Sequence, residues 1–336
     1  ALRQTLQAAR DRHCSWLCLG DMKHLRDRWL NAVLNGVLQV FEEYHDVPKF
    51  LVPGNHDGTA GGRSGLAALD EMDHVSLFEE PAIRFAPWGD GKVLWWPYQP
   101  TLDELPRWVE KARKERATAV LGHAFIQGSA VGPDDVRLGI GTPPAAFGLV
   151  GKAQVFSYGF FGDVHRQQRV SVGGAGKRDA QVWVPGSPCA QNWGEREGGK
   201  GCLLVDFDAG EVTPIPVQAP QFIVADWTDD RVQINRRLAV CAGTPEVTDE
   251  WRGHFVRLLL PPDADPKLVE RLREASGART FQAIVQRTAA SAQRVPSLHG
   301  GLSAGQLVEE YVRARPPEDL DQKVVVAAGK RLLGER

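Results

Sequence analysis

The chain has 336 residues, an apolar fraction of 43%, a charged fraction of 24% and a net charge of −2. That balance describes an ordinary globular protein, long enough for a sizeable core and for two domains. It excludes a globally basic nucleic-acid binder, leaving only a local basic surface for such a role, and no stretch reaches the roughly 18 apolar residues of a membrane span.

The opening stretch, ALRQTLQAARDRH, shows no signal-peptide pattern, and Leu2, Leu6 and Ala9 recur at helical spacing. Trp16 to Leu19 reads as a short buried strand that runs into Gly20-Asp21. Leu30, Val33, Leu34, Val37 and Phe41 make one stripe of a helix. A second strand, Phe50 to Val52, leads into Gly54-Asn55-His56-Asp57. A helix is expected from Thr101, with Glu104 placed for a capping box. Thr118 to Leu121 leads into Gly122-His123, and Phe156 to Phe161 leads into Gly162-Asp163-Val164-His165. Strands alternating with helices predict an α/β layer architecture. Further strands are expected at Gln181–Val184 and Gly201–Phe207.

The proline-rich stretch 208–222 reads as a boundary. Beyond it, strands at 255–260 and 281–285 around a helix at 266–275 form a small α+β module. Helices are expected from Ser303 and again up to Leu333. The organisation expected is therefore 1–214, 222–300 and a helical tail, 303–336. Five cysteines with no CxxC pair fit a reducing compartment, so a cytoplasmic location is expected. Cys14 and Cys18 read as core filler, as do most of the ten tryptophans.

Four strand ends thus carry ligand-type side chains: Asp21, Asn55, His123, and Asp163 with His165. Ligands of α/β sheets bind outside the carboxyl ends of the strands. Mixed carboxylate, amide and imidazole donors suit manganese, iron or zinc better than calcium. One carboxylate can bridge two ions, the arrangement that clamps a phosphate during in-line attack. A lone Gly-Asp or Gly-His is usually only a turn; the information lies in four of them in series.

These motifs resemble those of the calcineurin-like metallophosphoesterases: LGD at 19–21, GNHD at 54–57, GH at 122–123 and GDVH at 162–165. Within that family GDVHRQQ at 162–168, VPGSPCAQNWGE at 184–195 and KGCLLVDF at 200–207 resemble the SbcD-type DNA repair nucleases and the related phage recombination exonuclease subunit. The resemblance covers most of 1–207 and is weaker over 222–336. It implies a β-sandwich flanked by helices, an α+β capping domain and a helical tail. It implies two divalent metal ions, manganese foremost, with magnesium, iron or zinc as alternatives. Asp21 then matches the bridging aspartate, Asn55 and His123 ligands of one ion, and His165 a ligand of the other. His56 matches the catalytic histidine, Asp57 would orient it, and His24 matches a further histidine of the nuclease branch. The resemblance further implies DNA as substrate, a homodimer, and an SMC-type ATPase of the SbcC kind as partner, with 303–336 as its docking segment.

Two departures stand out. The family's Asp-x-His motif does not precede Asp21, which leads to the expectation of a strand upstream of Ala1 that carries it. Asp163 stands where the family usually has histidine, which adds charge and favours a harder ion such as manganese. Arg166, Arg169, Lys177, Arg178, Arg196 and Lys200 cluster near the last motif. They are either a solvated loop or a phosphate-contacting surface, with Ser187 of the Gly-Ser-Pro turn on the substrate side. Trp193 is either a stacking platform or packing. His13, His45, His74, His254 and His299 have no motif context. The alternatives to a nuclease are a small-molecule or cyclic-nucleotide phosphodiesterase and a non-catalytic scaffold.

Overall fold

The computed structural model describes residues 1–26, 28–58, 64–131, 136–137, 141–151, 154–172, 180–196, 199–227, 251–286, 308–309, 312–313 and 321–332. Two compact units emerge: Ala1–Leu258 with Asp265–Ala283, and Leu259–Ala264 with Ile284–Arg336.

In the first unit, α1 (Leu2–Asp11) precedes β1 (Trp16–Cys18), α2 (Asn31–Glu43) and β2 (Lys49–Leu51), with β3 at Val75–Leu77. These strands form a parallel sheet in the order β1-β2-β3. A second sheet has the order β10-β11-β9-β6-β5-β4. Its members are β4 (Ala82–Phe85), β5 (Lys92–Trp96), β6 (Ala117–His123), β9 (Tyr158–Gly162), β10 (Gln168–Val170) and β11 (Gln181–Val184). The four inner strands run parallel, and the two edge strands are antiparallel to their neighbours. Helix α3 (Leu105–Lys114) connects β5 to β6. A two-stranded ribbon, β7 (Ala130–Val131) and β8 (Val136–Arg137), lies between β6 and β9 in the chain.

The period of two along each strand sorts side chains into two cores. Val93, Trp95, Ala119, Leu121 and Phe160 share a core with Val52, Leu17, Leu19 and Phe50 of the other sheet. Their neighbours Leu94, Trp96, Val120 and Phe161 face Leu105, Val109 and Ala112 of α3. A third core joins α1 and α2 to the far face of the small sheet through Leu6, Phe41 and Leu51. The layers are therefore helix, sheet, sheet, helix, and the inner strands are apolar on both faces for that reason. Trp95 is fully buried between the sheets and stacks on Phe78 at 4.1 Å.

Several expectations change in detail. Thr101 does not start a helix: α3 begins at Leu105, and its N-cap Glu104 makes no side-chain cap bond. Pro106 in the first turn and Lys111, Arg113 and Lys114 in the last favour that register. In α2, Leu30 and Val33 are exposed, and burial falls on Val37, Val40 and Phe41. The proline-rich stretch holds a strand, β13 (Glu211–Pro216), paired antiparallel with β12 (Gly201–Asp206). Its prolines 214 and 216 are tolerated because β13 is an edge strand. Strands β14 (Phe222–Asp226), β15 (Phe255–Leu260) and β16 (Thr280–Val285) form a sheet, with α4 (Pro266–Ala275) between the last two in sequence. Asp265 caps α4 by accepting the Lys267 N–H, and Pro266 opens its first turn.

In the second unit, α5 spans Gln322–Leu332, and Lys330 pairs with Glu309. Most of 303–320 lies outside the described residues. Among the described residues, no helix is long and apolar enough to cross a membrane.

Candidate metal centre

The ends of β1, β6 and β9 converge, and glycine permits it. Gly20 has φ +100, and a Cβ there would sit 2.2 Å from Nδ1 of His123. A Cβ at Gly162 would sit 1.9 Å from the Leu19 carbonyl oxygen. Any side chain at these two positions would push the strand ends apart. Asp21 (φ 57) and Asp163 (φ 102) are themselves in the left-handed half of backbone space. Such geometry is uncommon for non-glycine residues and costs on the order of 1–3 kcal/mol where it is most strained.

What that geometry achieves is a trio. Asp21, His123 and Asp163 each offer one ligand atom within 4.8 Å of the others, so they can hold a metal ion. His123 is 2% exposed. Its Nδ1–H donates to the Leu19 carbonyl at 2.7 Å, which leaves the Nε2 lone pair facing the carboxylates. Nε2 stands 3.6 Å from Asp163 Oδ1 and 3.7 Å from Asp21 Oδ1. Those separations are too long for hydrogen bonds. Two donors about 2.1 Å from one ion at a tetrahedral angle stand ~3.4 Å apart, so the spacing fits a shared cation.

Two buried polar atoms fit the same reading: His123 Nε2 and Asn55 Oδ1 have no hydrogen-bond partner among the described residues. His74 Nε2, Trp95 Nε1 and Ser129 Oγ are unpartnered as well, so it is the carboxylates facing His123 Nε2 that make it a ligand position. Burial alone would depress the His123 pKa, but Asp163, Asp21 and the Leu19 carbonyl outweigh it and raise it above the usual value. A proton on Nε2 then balances the carboxylates, and a cation would displace it.

The GNHD loop is tied to this trio. The His56 N–H donates to Asp21 Oδ1 at 2.9 Å. The His56 ring is held by Nδ1–H donation to the His24 carbonyl at 2.8 Å, and the two imidazoles stack with centroids 5.4 Å apart. The role expected for Asp57 is revised here. Its fully buried carboxylate accepts the backbone N–H groups of Asp21 (2.7 Å), Gly54 (2.9 Å) and Lys23 (3.3 Å). It clamps two loops together, and the His24 carbonyl does the orienting. Burial pushes the Asp57 carboxyl up in pKa, against the pull of the Gly54 and Lys23 amides.

His165 lies outside the trio. Its Nδ1–H donates to Glu195 Oε1 at 2.8 Å, leaving Nε2 available. Glu195 is in turn held by Lys200 (2.9 Å) and Asn192 (2.7 Å). Burial would raise the Glu195 pKa, yet His165 and Lys200 prevail and hold it low. Neither Glu195 nor Lys200 was expected in this role. The available signal was the Gly-Glu at 194–195, a few residues after Gly186-Ser187-Pro188.

The candidate DNA-contacting residues separate. Ser187 is buried: its hydroxyl donates to the Cys189 carbonyl and accepts from Lys200, so it faces the protein and not a substrate. Lys200 is likewise committed, to the His165 carbonyl, Ser187 and Glu195. Arg169 is exposed on β10, and Arg166 is half-buried. Lys177 and Arg178 lie outside the described residues. Trp193 packs edge-on against Phe222 at 5.0 Å, with the Arg257 guanidinium over its ring at 4.0 Å, so packing accounts for it.

An apolar cavity of about 710 Å³ runs beside β1, an edge strand of its sheet. Its lining includes Leu17, Leu19, Leu203 and Val205 and ends at Asp21 and Asp163. The sequence matches no family model and no curated protein.

Proposed function

We propose that the protein is a metal-dependent phosphodiesterase of the calcineurin-like type, acting on DNA as the SbcD-type nucleases do. The observation that carries this reading is the carboxylate–imidazole–carboxylate trio with the His56 amide bonded onto one of its carboxylates. Asp21, His123 and Asp163 would hold one ion with Asn55 as the further donor expected there, and His165 would serve the other, with Asp21 shared between the two. Such ions supply charge neutralisation for the phosphate and a lowered pKa for a water molecule. Manganese is the ion that two aspartates in the trio favour.

The chain's own residues then have defined tasks. The His24 carbonyl fixes the His56 tautomer, so Nε2 of His56 is the atom that delivers a proton to the departing oxygen. Asp57 keeps the Asn55–His56 loop in register with Asp21. Glu195 orients His165. Arg169 and Arg166, with Lys177 and Arg178 close to them in sequence, are the basic residues proposed to meet the DNA backbone. A homodimer and an SMC-type ATPase docking on 303–336 complete the proposal. Deletion of 303–336 that leaves ATPase binding intact would remove that last element.

The test is nucleotide release from end-labelled duplex DNA, beside hydrolysis of a small phosphodiester, with Mn²⁺, for the wild type and His56→Ala. DNA cleavage that is lost in the variant supports the reading. Cleavage of the small diester alone moves the substrate to a small molecule. Neither activity, in protein that demonstrably binds Mn²⁺, overturns it in favour of a scaffold.

A further inference from the structure

Tyr98 follows β5 and is 46% exposed, although it stands beside the most buried member of the trio. Its ring centroid is 6.4 Å from that of His123, at an interplanar angle of 78°. The Tyr98 N–H donates to the Pro53 carbonyl at 2.9 Å, which ties it to the loop of Asn55 and His56. Its hydroxyl has no partner among the described residues. The position is thus fixed by the backbone and by the edge contact with His123, while a large aromatic surface stays open to solvent.

Among the described residues, His123 is the one ring partner of Tyr98. The neighbouring tryptophans 95 and 96 are fully buried on opposite faces of β5. A rigid aromatic with two rotatable bonds beside a phosphate-directed site is what a nucleobase stacks on, because every base offers a π-face.

Building on the phosphodiesterase reading, we propose that Tyr98 is a specificity-determining residue that stacks on the nucleobase adjoining the scissile phosphate. Its preference is for a nucleic-acid strand over a small diester, and it is indifferent to base identity.

The test measures binding, so it does not depend on turnover. Oligonucleotide duplexes with one frayed end carry either 2-aminopurine or an abasic site at the terminal positions, with Ca²⁺ in place of Mn²⁺. Wild type, Tyr98→Phe and Tyr98→Ala are compared. Tyr98→Ala should bind the intact duplex about 5- to 150-fold more weakly, the span of one base–aromatic stack. Tyr98→Phe should stay within about twofold, because the ring does the stacking. The abasic duplex should bind the wild type as weakly as the intact duplex binds Tyr98→Ala, with no further loss in the variant. Quenching of 2-aminopurine should disappear only in Tyr98→Ala. Equal sensitivity of wild type and Tyr98→Ala to the abasic site overturns the inference. So does a wild type that binds no DNA; if it still hydrolyses a small diester, the phosphodiesterase reading survives alone.

Discussion

Replacing Asp57 by alanine separates two roles that a carboxylate beside a catalytic histidine can have. Its two short bonds, to the Asp21 and Gly54 amides, are 2.7 and 2.9 Å, and a third to Lys23 is 3.3 Å. All three donors lose their acceptor in the variant, and the carboxylate is completely buried, so water replaces it poorly. Hydrogen bonds to charged groups contribute about 1.5–3 kcal/mol each. Two good bonds and one weak one therefore predict a loss of about 3–6 kcal/mol, a large part of the stability of an ordinary domain. The loss appears in urea denaturation as a lower midpoint at unchanged slope if the loops unfold with the core. If they detach locally, it appears as faster amide exchange in peptides covering 19–26 and 52–58. A variant whose midpoint and exchange match the wild type, but whose activity is gone, would refute the clamp and return Asp57 to a direct role on His56.

The trio predicts that metal affinity falls as pH drops, because the raised pKa of His123 means a proton must leave Nε2 first. Calorimetric titration of Mn²⁺ should weaken about tenfold per pH unit once that imidazole is protonated, and His123→Ala should lose the dependence. Glu195→Gln should lower metal affinity by about 10- to 100-fold through His165 while the fold persists; unchanged affinity would remove His165 from the ligand set. Lys49 is buried, and desolvation holds its ammonium down to about 8, against ~10.4 for an exposed lysine. The unfolded chain therefore binds more protons between those values, and stability rises with pH across that window by about 1–3 kcal/mol. Urea midpoints of wild type minus Lys49→Met should show that rise, and a flat difference would refute it.

Much of this was legible because each motif couples a strand to a ligand. Gly122-His123 and Gly162-Asp163 follow apolar runs because β6 and β9 are inner strands buried on both faces, and Gly20-Asp21 follows β1, an edge strand whose partly buried side chains still pack into the cores on either side of it. Strand β5 was missed although KVLWW is as apolar, because no ligand follows it and its two tryptophans resemble isolated packing residues. Side-chain commitments were not legible. Asp57 adjoins His56 in sequence, yet the turn directs its carboxylate back to the Gly54 amide. Ser187 and Lys200 looked solvent-facing by composition, but each completes the other's hydrogen bonding. Adjacency in sequence gives proximity, whereas hydrogen-bond direction is fixed only by the loops that return to meet it.

Two lysines show how that return is organised. Lys23 is 5% exposed, and its ammonium donates to the carbonyls of Leu25, Arg26 and His56 at 2.7–2.8 Å. Lys200 donates to the His165 carbonyl, Ser187 and Glu195, each at 2.9 Å. One therefore braces the loop of His24 and His56, and the other braces His165. Three acceptors around one small cation suit an ammonium and not a planar guanidinium, whose donors form a fixed fork. Arginine at either position keeps the charge and loses the fit. Lys23→Arg should therefore disturb the His24–His56 stack as much as Lys23→Met does, and rescue by arginine would show that charge alone is what the loop requires.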